Sequence, residues 1–280
     1  MADILTSEPS IRLGFFLSIL VLMAVWEGLA PRRVDPNNRL LRWPSNLGIV
    51  VLNSLLIRVL FPAGVVGLAY VEGQHGWGLF NMMSLPSVVT IIISVIVLDL
   101  TLYLQHVLFH AIPLLWRVHR MHHSDLFFDV TTGVRFHPFE ILLSLGFKFI
   151  VVVALGPPAM AVLVFEVLLN ATSMFNHGNV WIREDLDRFL RWLVVTPDMH
   201  RVHHSASVPE TNSNFGFNLS WWDRVFGTYC PQPADGQDGM TIGIGQFRCR
   251  KELRLDRMLC QPFLGRVGAY PMSRRKELEG

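Results

Sequence analysis

Four long apolar runs alternate with short polar segments along the chain. The first, Ile11 to Ala30, has about the length that a helix needs to cross a bilayer, and the runs Ile49 to Val71 and Val88 to Ile112 are similar. A fourth run, Glu140 to Phe175, is broken by "GPP" at residues 156–158, where proline ends a helix and glycine permits a turn. The pattern predicts an all-α fold, a multi-pass membrane helical bundle of about four spans, or of three spans plus a helical hairpin.

Composition supports a membrane protein and argues against other classes. Of the 280 residues, 51% are hydrophobic and 16% are charged, far from an ordinary soluble domain. The net charge of +2 is too small to favour nucleic acid as a partner. The cysteines, Cys230, Cys249 and Cys260, lack C-x-x-C spacing, so neither a disulfide framework nor a thiolate metal site is indicated. The N-terminal residues carry acids instead of a basic region, so the first helix is expected to remain as an anchor.

The distribution of arginine orients the predicted spans. Several arginines lie between the first two runs, whereas residues 71–86 contain neither Lys nor Arg. Because loops rich in Lys and Arg stay cytoplasmic, the first connection is expected on the cytoplasmic side and the second on the opposite side. Every polar segment after the third run then faces the cytoplasm. The basic stretch 248–267 is predicted either as an amphipathic segment on the membrane surface or as a soluble surface helix.

Ten of the eleven histidines fall at or just beyond helix ends on this one predicted face. They form one His-x3-His box, two His-x2-His-His boxes and two single sites: His106, His110, His119, His122, His123, His137, His177, His200, His203 and His204. Positions i, i+3 and i+4 share a helix face, so each triplet is expected to present three imidazoles to one point, as half of a metal cage. A zinc ion takes about four ligands, so this many imidazoles indicates two metals. Imidazole suits iron, copper and zinc, which leaves the metal unnamed.

Other interpretations of the histidines compete with a catalytic one. A non-catalytic membrane protein that transports or stores metal would also be rich in histidine. Transport, however, calls for polar residues along a path through successive helices, and the first two runs offer little beyond Arg58. A haem protein needs two histidines on facing helices and leaves the triplets unexplained.

The order of the boxes resembles a known family. "HVLFH" is followed by "HRMHH", a single "RFHP", a single "NHGN", then "HRVHH" and "WWDRVFGT". From about Asp99 to Tyr229 this is similar to the fatty acid hydroxylase and sterol desaturase superfamily. The resemblance implies a membrane-bound di-iron oxidoreductase that uses O2 to hydroxylate or desaturate a C–H bond of a lipid.

The resemblance also implies the cofactors and partners. The eight box histidines become ligands of two iron ions that cycle between Fe2+ and Fe3+, and His137 and His177 resemble the additional family histidines that complete the cage. Three residues inside "HVLFH" resemble sterol desaturases, methyl sterol oxidases and ether-lipid monooxygenases more than fatty acid 2-hydroxylases. A sterol-like, ether-lipid or fatty-acyl substrate is expected to enter from the bilayer. No "HPGG" cytochrome module is present, so a separate ferredoxin, cytochrome or reductase is expected to donate electrons, and the bacterial inner membrane is favoured over the endoplasmic reticulum.

Two carboxylates are expected to support the site. Asp99 is an ionisable residue inside an apolar helix, seven positions before His106, and is predicted to accept the spare ring N–H of a liganding histidine. The alternative for Asp99 is a polar contact between helices. Asp198 is predicted to cap the helix of the third box or to orient a histidine. The arginines beside the boxes, Arg117, Arg120 and Arg201, are expected to face solvent, with a lipid headgroup as the alternative.

The chain is therefore predicted to have three parts. Residues 1–86 form membrane anchor helices, residues 87–230 form the catalytic region, and residues 231–280 form a cytoplasmic loop and basic tail.

Overall fold

The computed structural model describes residues 2–34 and 39–273, with side chains from residue 7 onward in the first helix. These residues form helices and loops, with only isolated β-bridges among the described part of the chain. Five segments are long and apolar enough to cross a membrane: Ser7–Leu29, Arg39–Met82, Ser87–Ala111, Pro138–Leu155 and Ala159–Asn176. The all-α, multi-pass prediction is confirmed in the form of three passages and a helical hairpin.

Within the described residues the membrane part consists of six helices, because one of the five passages is made of two helices. Their bounds are α1 Ala2–Leu29, α2 Arg39–Leu60, α3 Gly64–His75, α4 Ser87–Ala111, α6 Pro138–Leu155 and α7 Ala159–Asn176. The helix α5, Pro113–His123, follows α4 after a single residue and carries the second histidine box.

The second passage differs from the continuous run predicted from hydropathy. It breaks between α2 and α3 at residues 61–63, where Pro62 lacks the N–H that a continuing helix would need. The ring of Phe61 packs edge-on against Phe149 of α6, with centroids 5.5 Å apart. The two helices therefore follow α6 as one passage with a break, and apolar periodicity alone does not reveal this.

Contacts at the two ends of the bundle show which helix ends lie together. At one end, Asn81 Nδ2 donates to the carbonyl of Gly156 in the α6–α7 turn at 3.1 Å. Gly156 adopts a φ of 61°, which a residue with a Cβ rarely accepts. At the other end, Glu27 in the last turn of α1 accepts the backbone N–H groups of Val130 and Asn179. Val130 follows the second box by seven residues and Asn179 follows His177 by two, so these histidine-bearing segments gather at this end.

A cap of short helices covers the histidine end of the bundle. After α7 come α8 Glu184–Leu190, α9 Pro197–His203, α10 Val208–Thr211, α11 Trp221–Val225, α12 Gly236–Gly239 and α13 Leu255–Cys260. The basic stretch predicted as a surface segment is part of this cap. Met258 and Gln261 are fully buried, and Met258 packs with Ile49 and Met121.

An ionic cluster lies inside the spanning helices. Lys148 Nζ of α6 is 2.6 Å from Glu166 Oε1 of α7, and Arg12 Nη2 of α1 is 3.1 Å from Glu166 Oε2. Ionisable side chains within an apolar bundle are costly unless paired, so this cluster holds α1 against the hairpin.

Candidate metal centre

Nine histidines converge at the end of the bundle in two sets. In each set the nitrogens that could bind a metal lie within 4.8 Å of one another. The first set is His106, His110, His119, His123 and His203, and the second set is His122, His177, His200 and His204. All nine are at most 2% exposed, which is far less than the exposure of a solvated surface cluster.

The spacing of the facing nitrogens fits coordination. In the first set, His119 Nε2 lies 3.1 Å from Nε2 of both His106 and His123. In the second set, His177 Nε2 lies 3.2 Å from Nε2 of both His122 and His204. Two nitrogens that each sit about 2.1 Å from one ion are about 3.0 to 3.4 Å apart at octahedral or tetrahedral angles. The donor sets therefore fit two metal ions, one in each set.

The two triplets are divided between the sets, contrary to the expectation that each points at one position. In the second box, His119 and His123 join the first set and His122 joins the second. In the third box the division is reversed: His200 and His204 join the second set and His203 joins the first. In both boxes the i, i+4 pair serves one ion, and the residue at i+3 crosses to the other. Each helix that carries a triplet therefore contributes to both sets.

Six of the nine rings make an outward hydrogen bond through Nδ1. The bond leaves Nε2 with a lone pair directed into the set, which is how surrounding groups fix the tautomer of a metal ligand. The acceptors are mostly backbone carbonyls: Phe215 for His106 at 2.8 Å, Ser213 for His203 at 2.7 Å, Arg135 for His122 at 3.1 Å and Ser173 for His177 at 2.8 Å. His110 pairs with Asn212 Oδ1 at 3.1 Å.

His119 is the ring that pairs with a carboxylate. Its Nδ1 lies 2.6 Å from Oε1 of Glu140, in the first turn of α6. A carboxylate acceptor raises the donor strength of the ring more than a carbonyl does. Glu140 is absent from the sequence-based expectations, although "HPFE" places an acid three residues after His137.

Burial keeps the histidines of the cap neutral. It lowers the pKa of His177 to about 3 and holds the pKa values of His200 and His204 well below the ordinary value for histidine. Neighbouring imidazoles act in the same direction, because each would repel a second positive charge. Neutral imidazole is the form that binds metal.

A buried ionic network holds the loop that follows the second box. Arg42 of α2 binds both carboxylate oxygens of Asp125, at 2.6 and 2.8 Å, and reaches Asp129 at 2.7 Å. Burial alone would raise the pKa of Asp125, but the charges of Arg42 and Arg135 hold it well below its usual range. Arg135 also donates to the carbonyl of Met121, inside the box helix. The network fixes the box by way of its loop, since none of these bonds reaches a histidine side chain.

The structure places His137 outside both sets, unlike His177. His137 Nδ1 accepts the N–H of Phe139 as the N-cap of α6, and Nε2 lies 3.2 Å from the carbonyl of Leu259. Both ring nitrogens are thus engaged elsewhere. Its position before a proline is typical of an N-cap, a signal available from the sequence.

Asp99 contacts no histidine in the structure. Its carboxylate accepts the N–H groups of Asn218 and Leu219, the Asn218 amide at 2.8 Å and the Trp222 indole at 2.9 Å. Asp99 therefore does not make the predicted contact with a histidine. It makes a polar contact, as in the alternative interpretation, but to the loop after the third box.

Asp198 is an ion-pair partner and does not cap its helix. Thr196 provides the side-chain cap of α9, and Asp198 pairs with Arg201 and Arg32. Arg201 and Arg120 are fully buried, contrary to the expectation that they face solvent. Arg120 donates to the carbonyls of Gln261 and Leu264, which ties the cap to the second box.

Comparison with known proteins locates the centre within a family. Residues 91–228 match the family model described as "Fatty acid hydroxylase". This interval contains the nine histidines of both sets and Glu140. No solved structure matches the chain significantly.

Curated relatives include an ornithine lipid hydroxylase, OlsE, of Rhizobium tropici, which is 31% identical over 159 residues, covering 56% of this chain and 47% of that protein. Alkylglycerol monooxygenase of Xenopus tropicalis is 26% identical over 241 residues, covering 83% of this chain and 50% of that protein. The human alkylglycerol monooxygenase is 25% identical with the same coverage. The chain thus spans about half the length of these relatives.

Proposed function

Residues 91–228 form a fatty acid hydroxylase domain, and on that premise we propose that the chain is a membrane-bound di-iron oxidoreductase that uses O2 to hydroxylate or desaturate a lipid C–H bond. The observation that carries the proposal is the pair of buried histidine sets at the end of a membrane bundle. Isolated structural histidines would not be expected to gather in buried sets of five and four at coordination distances.

Two iron ions, one in each set, would supply the activation of O2 and the removal of a hydrogen atom. The first set would hold its ion through five imidazoles and the second set through four. The residues of the chain orient these rings, keep them neutral and surround them with apolar side chains. Phe109 and Phe128, both buried, stack on His119 and His177 with centroids 5.6 and 5.3 Å apart. Such rings exclude water that would otherwise compete for the centre.

The substrate in this proposal is a lipid that approaches from the bilayer. The histidine sets lie directly at the ends of α4 and α7, both of which are apolar enough to span. The relatives named above act, by their names, on ornithine lipid and on alkylglycerol. We propose a substrate of the same general kind, with a polar headgroup and a long aliphatic chain.

The electron donor would be a separate ferredoxin, cytochrome or reductase, and the histidine end would face the cytoplasm, where such donors are found. The arginines between α1 and α2 support this orientation. A bacterial inner membrane is the favoured location.

The experiment that tests the function measures metal content on purified protein and lipid oxidation in cells. Metal content is determined by mass spectrometry for the detergent-purified wild type and for a His122→Ala/His203→Ala variant, which removes the crossing ligand of each set. We expect about two irons per wild-type chain and fewer than about one in the variant, because each set loses a ligand. His75→Ala is the matched control, since His75 lies at the opposite end of the bundle, exposed and stacked on Trp77.

Catalysis is then measured as O2 consumption coupled to lipid oxidation, in cells with and without the gene. Iron-dependent appearance of hydroxylated or desaturated lipid supports the enzyme. Two tightly held metals with no change in lipids would favour the metal-storage alternative. Absence of iron after anaerobic purification with iron supplied would overturn the proposal.

A further inference from the structure

The loop of residues 213–220 lies between two spanning helices at the histidine end. Asp99 of α4 accepts N–H groups of Asn218 and Leu219. From the other side, Thr172 of α7 bonds the side chain of Asn218, and Asn176 Nδ2 donates to the Phe217 carbonyl at 2.9 Å. The loop is thus held from both sides, by the middle of α4 and by the last two turns of α7.

A buried carboxylate in the cap fixes the start of the same loop. Asp223 Oδ1 accepts the N–H of Phe215 at 2.7 Å, and Oδ2 accepts the N–H of Gly216 at 2.9 Å. A Cβ on Gly216 would lie 2.8 Å from that carboxylate, so a larger residue does not fit there. With its backbone held at several points, the loop has a fixed position relative to the histidines.

Two phenylalanines of the loop face the histidines differently. The ring of Phe215 is fully buried and contacts His106, His110 and His203, all of the first set. The ring of Phe217 is only partly buried. Its centroid lies 5.2 Å from that of His106 and 6.2 Å from that of His200. Phe217 therefore contacts both sets and also reaches the surface of the protein.

The surface around the loop is apolar. Leu168, one turn before Thr172 on α7, is 41% exposed, and Phe226, stacked on Tyr103 of α4, is 51% exposed. Both belong to the part of the protein where spanning helices meet the cap. A hydrocarbon chain lying against α4 and α7 would meet Phe217 on the way to the histidines.

We propose that Phe217 is the residue that receives the aliphatic chain of the lipid substrate between α4 and α7 and determines which of its carbons reaches the two histidine sets. The proposal rests on the proposed function and adds a site and an entry route to it. A ring in contact with both sets limits how far the chain can advance, so its size sets the depth. Asp99, whose charge inside the bundle is otherwise unexplained, is a positioning residue that holds the loop carrying this ring.

Phe136 provides the matched control. It is also partly buried and stacks on His122 with centroids 4.6 Å apart. It lies on the other side of the centre, where Asn53 of α2 donates to its carbonyl at 2.8 Å. A chain entering between α2 and α6 would contact Phe136 in place of Phe217.

The test is photo-crosslinking by p-benzoylphenylalanine, placed singly at 217, 219, 136 or 226. The full chain is reconstituted with iron in phosphatidylcholine nanodiscs that contain radiolabelled hexadecyl glyceryl ether or radiolabelled palmitic acid. Saturable labelling, displaced by unlabelled probe, reports a binding site, whereas labelling proportional to probe concentration reports lipid at the protein surface. We expect saturable labelling at 217, or at Leu219 if the larger side chain at 217 prevents folding, and only proportional labelling at 226.

Saturable labelling at 136 and not at 217 or 219 would overturn the route, and so would proportional labelling at 217 and 219 with both probes. Iron content is measured on each preparation. If iron is retained, either result overturns the entry route alone, whereas wild-type protein without iron contradicts the proposed function itself.

Chain-length selectivity gives a second measurement. In proteins that retain iron, Phe217→Ala should move the preferred chain length up and Phe217→Trp should move it down, while Phe136→Ala leaves the preference unchanged. Equal changes in rate for all chain lengths, with no shift in preference, would contradict the role in setting depth.

Discussion

The two histidine sets differ in how firmly the protein holds them. The first set takes two i, i+4 pairs from consecutive helices, α4 and α5, and four of its five rings have an outward partner at Nδ1. The second set takes one such pair, from α9, and Nδ1 of His200 and His204 has no hydrogen-bond partner among the described residues. Five ligands, four of them oriented by an outward partner, leave an ion little freedom, whereas four ligands leave coordination positions open. We infer that the first set holds its ion more tightly and that the second set is the more accessible.

Removal of a crossing ligand has the largest expected effect on this comparison. His122→Ala leaves the second set with three imidazoles, whereas His203→Ala leaves the first set with four. We expect His122→Ala to retain about one iron per chain and His203→Ala to retain between one and two, with catalysis lost in both. Metal content by mass spectrometry on protein purified with iron supplied measures the difference. The reverse order of iron loss would contradict the ranking of the sets.

Glu140→Gln tests the carboxylate that supports the first set. The substitution keeps an acceptor near His119 but removes its charge, so the ring becomes a weaker donor. Loss of such a partner typically lowers metal affinity by about 10 to 100-fold. Titration with a chelator should show earlier release of one iron while the other is unaffected. Asp198→Asn, which alters a carboxylate that contacts no histidine, is the control and should release iron like the wild type.

Acid should destabilise the metal-free protein through the cap histidines. Burial holds their folded-state pKa values below the unfolded value of about 6.5, so below that pH the unfolded chain binds protons that the folded chain does not. The contribution of these histidines to the free energy of unfolding is therefore complete above about pH 6.5. It decreases as pH falls, by up to about 1.4 kcal/mol per pH unit for each such histidine. The thermal midpoint, followed from pH 7 to about pH 5, should fall less steeply in His200→Ala/His204→Ala. An unchanged slope would show that these two rings are not the ones protonated.

The smallest effect is expected at His137. His137→Ala should retain about two irons per chain, because neither ring nitrogen faces a set. It should lower the free energy of unfolding by about 1 kcal/mol through loss of the N-cap of α6. Thermal denaturation and metal analysis on the same sample measure both. Loss of an iron would place His137 back among the ligands.

The membrane spans could be predicted from the sequence because only long apolar helices are stable in lipid. Their arrangement could be predicted because the histidine-bearing segments all follow the same ends of the spans. The boxes contain eight of the nine clustered histidines, and of the two single sites predicted with them His177 joins a set whereas His137 does not. The assignment of each ring to a set was not accessible, since 3.6-residue periodicity says which rings are near each other but not which facing helix supplies the neighbours. The same reason explains why the sequence did not predict the roles of Glu140 and Phe217 or the partners of Asp99. Each makes its contacts with residues that are distant in sequence.

Arg120 of the second box is held by residues that are synthesised much later than the box. The Gln261 carbonyl that Arg120 binds lies 141 positions later in the chain. During translation the box helix is therefore synthesised long before the residues that close over it. Until those residues exist they cannot cover that side of the box, so we expect metal ions to enter more readily at that stage than in the finished fold. Chains retained at that stage should load iron faster than finished, metal-stripped protein.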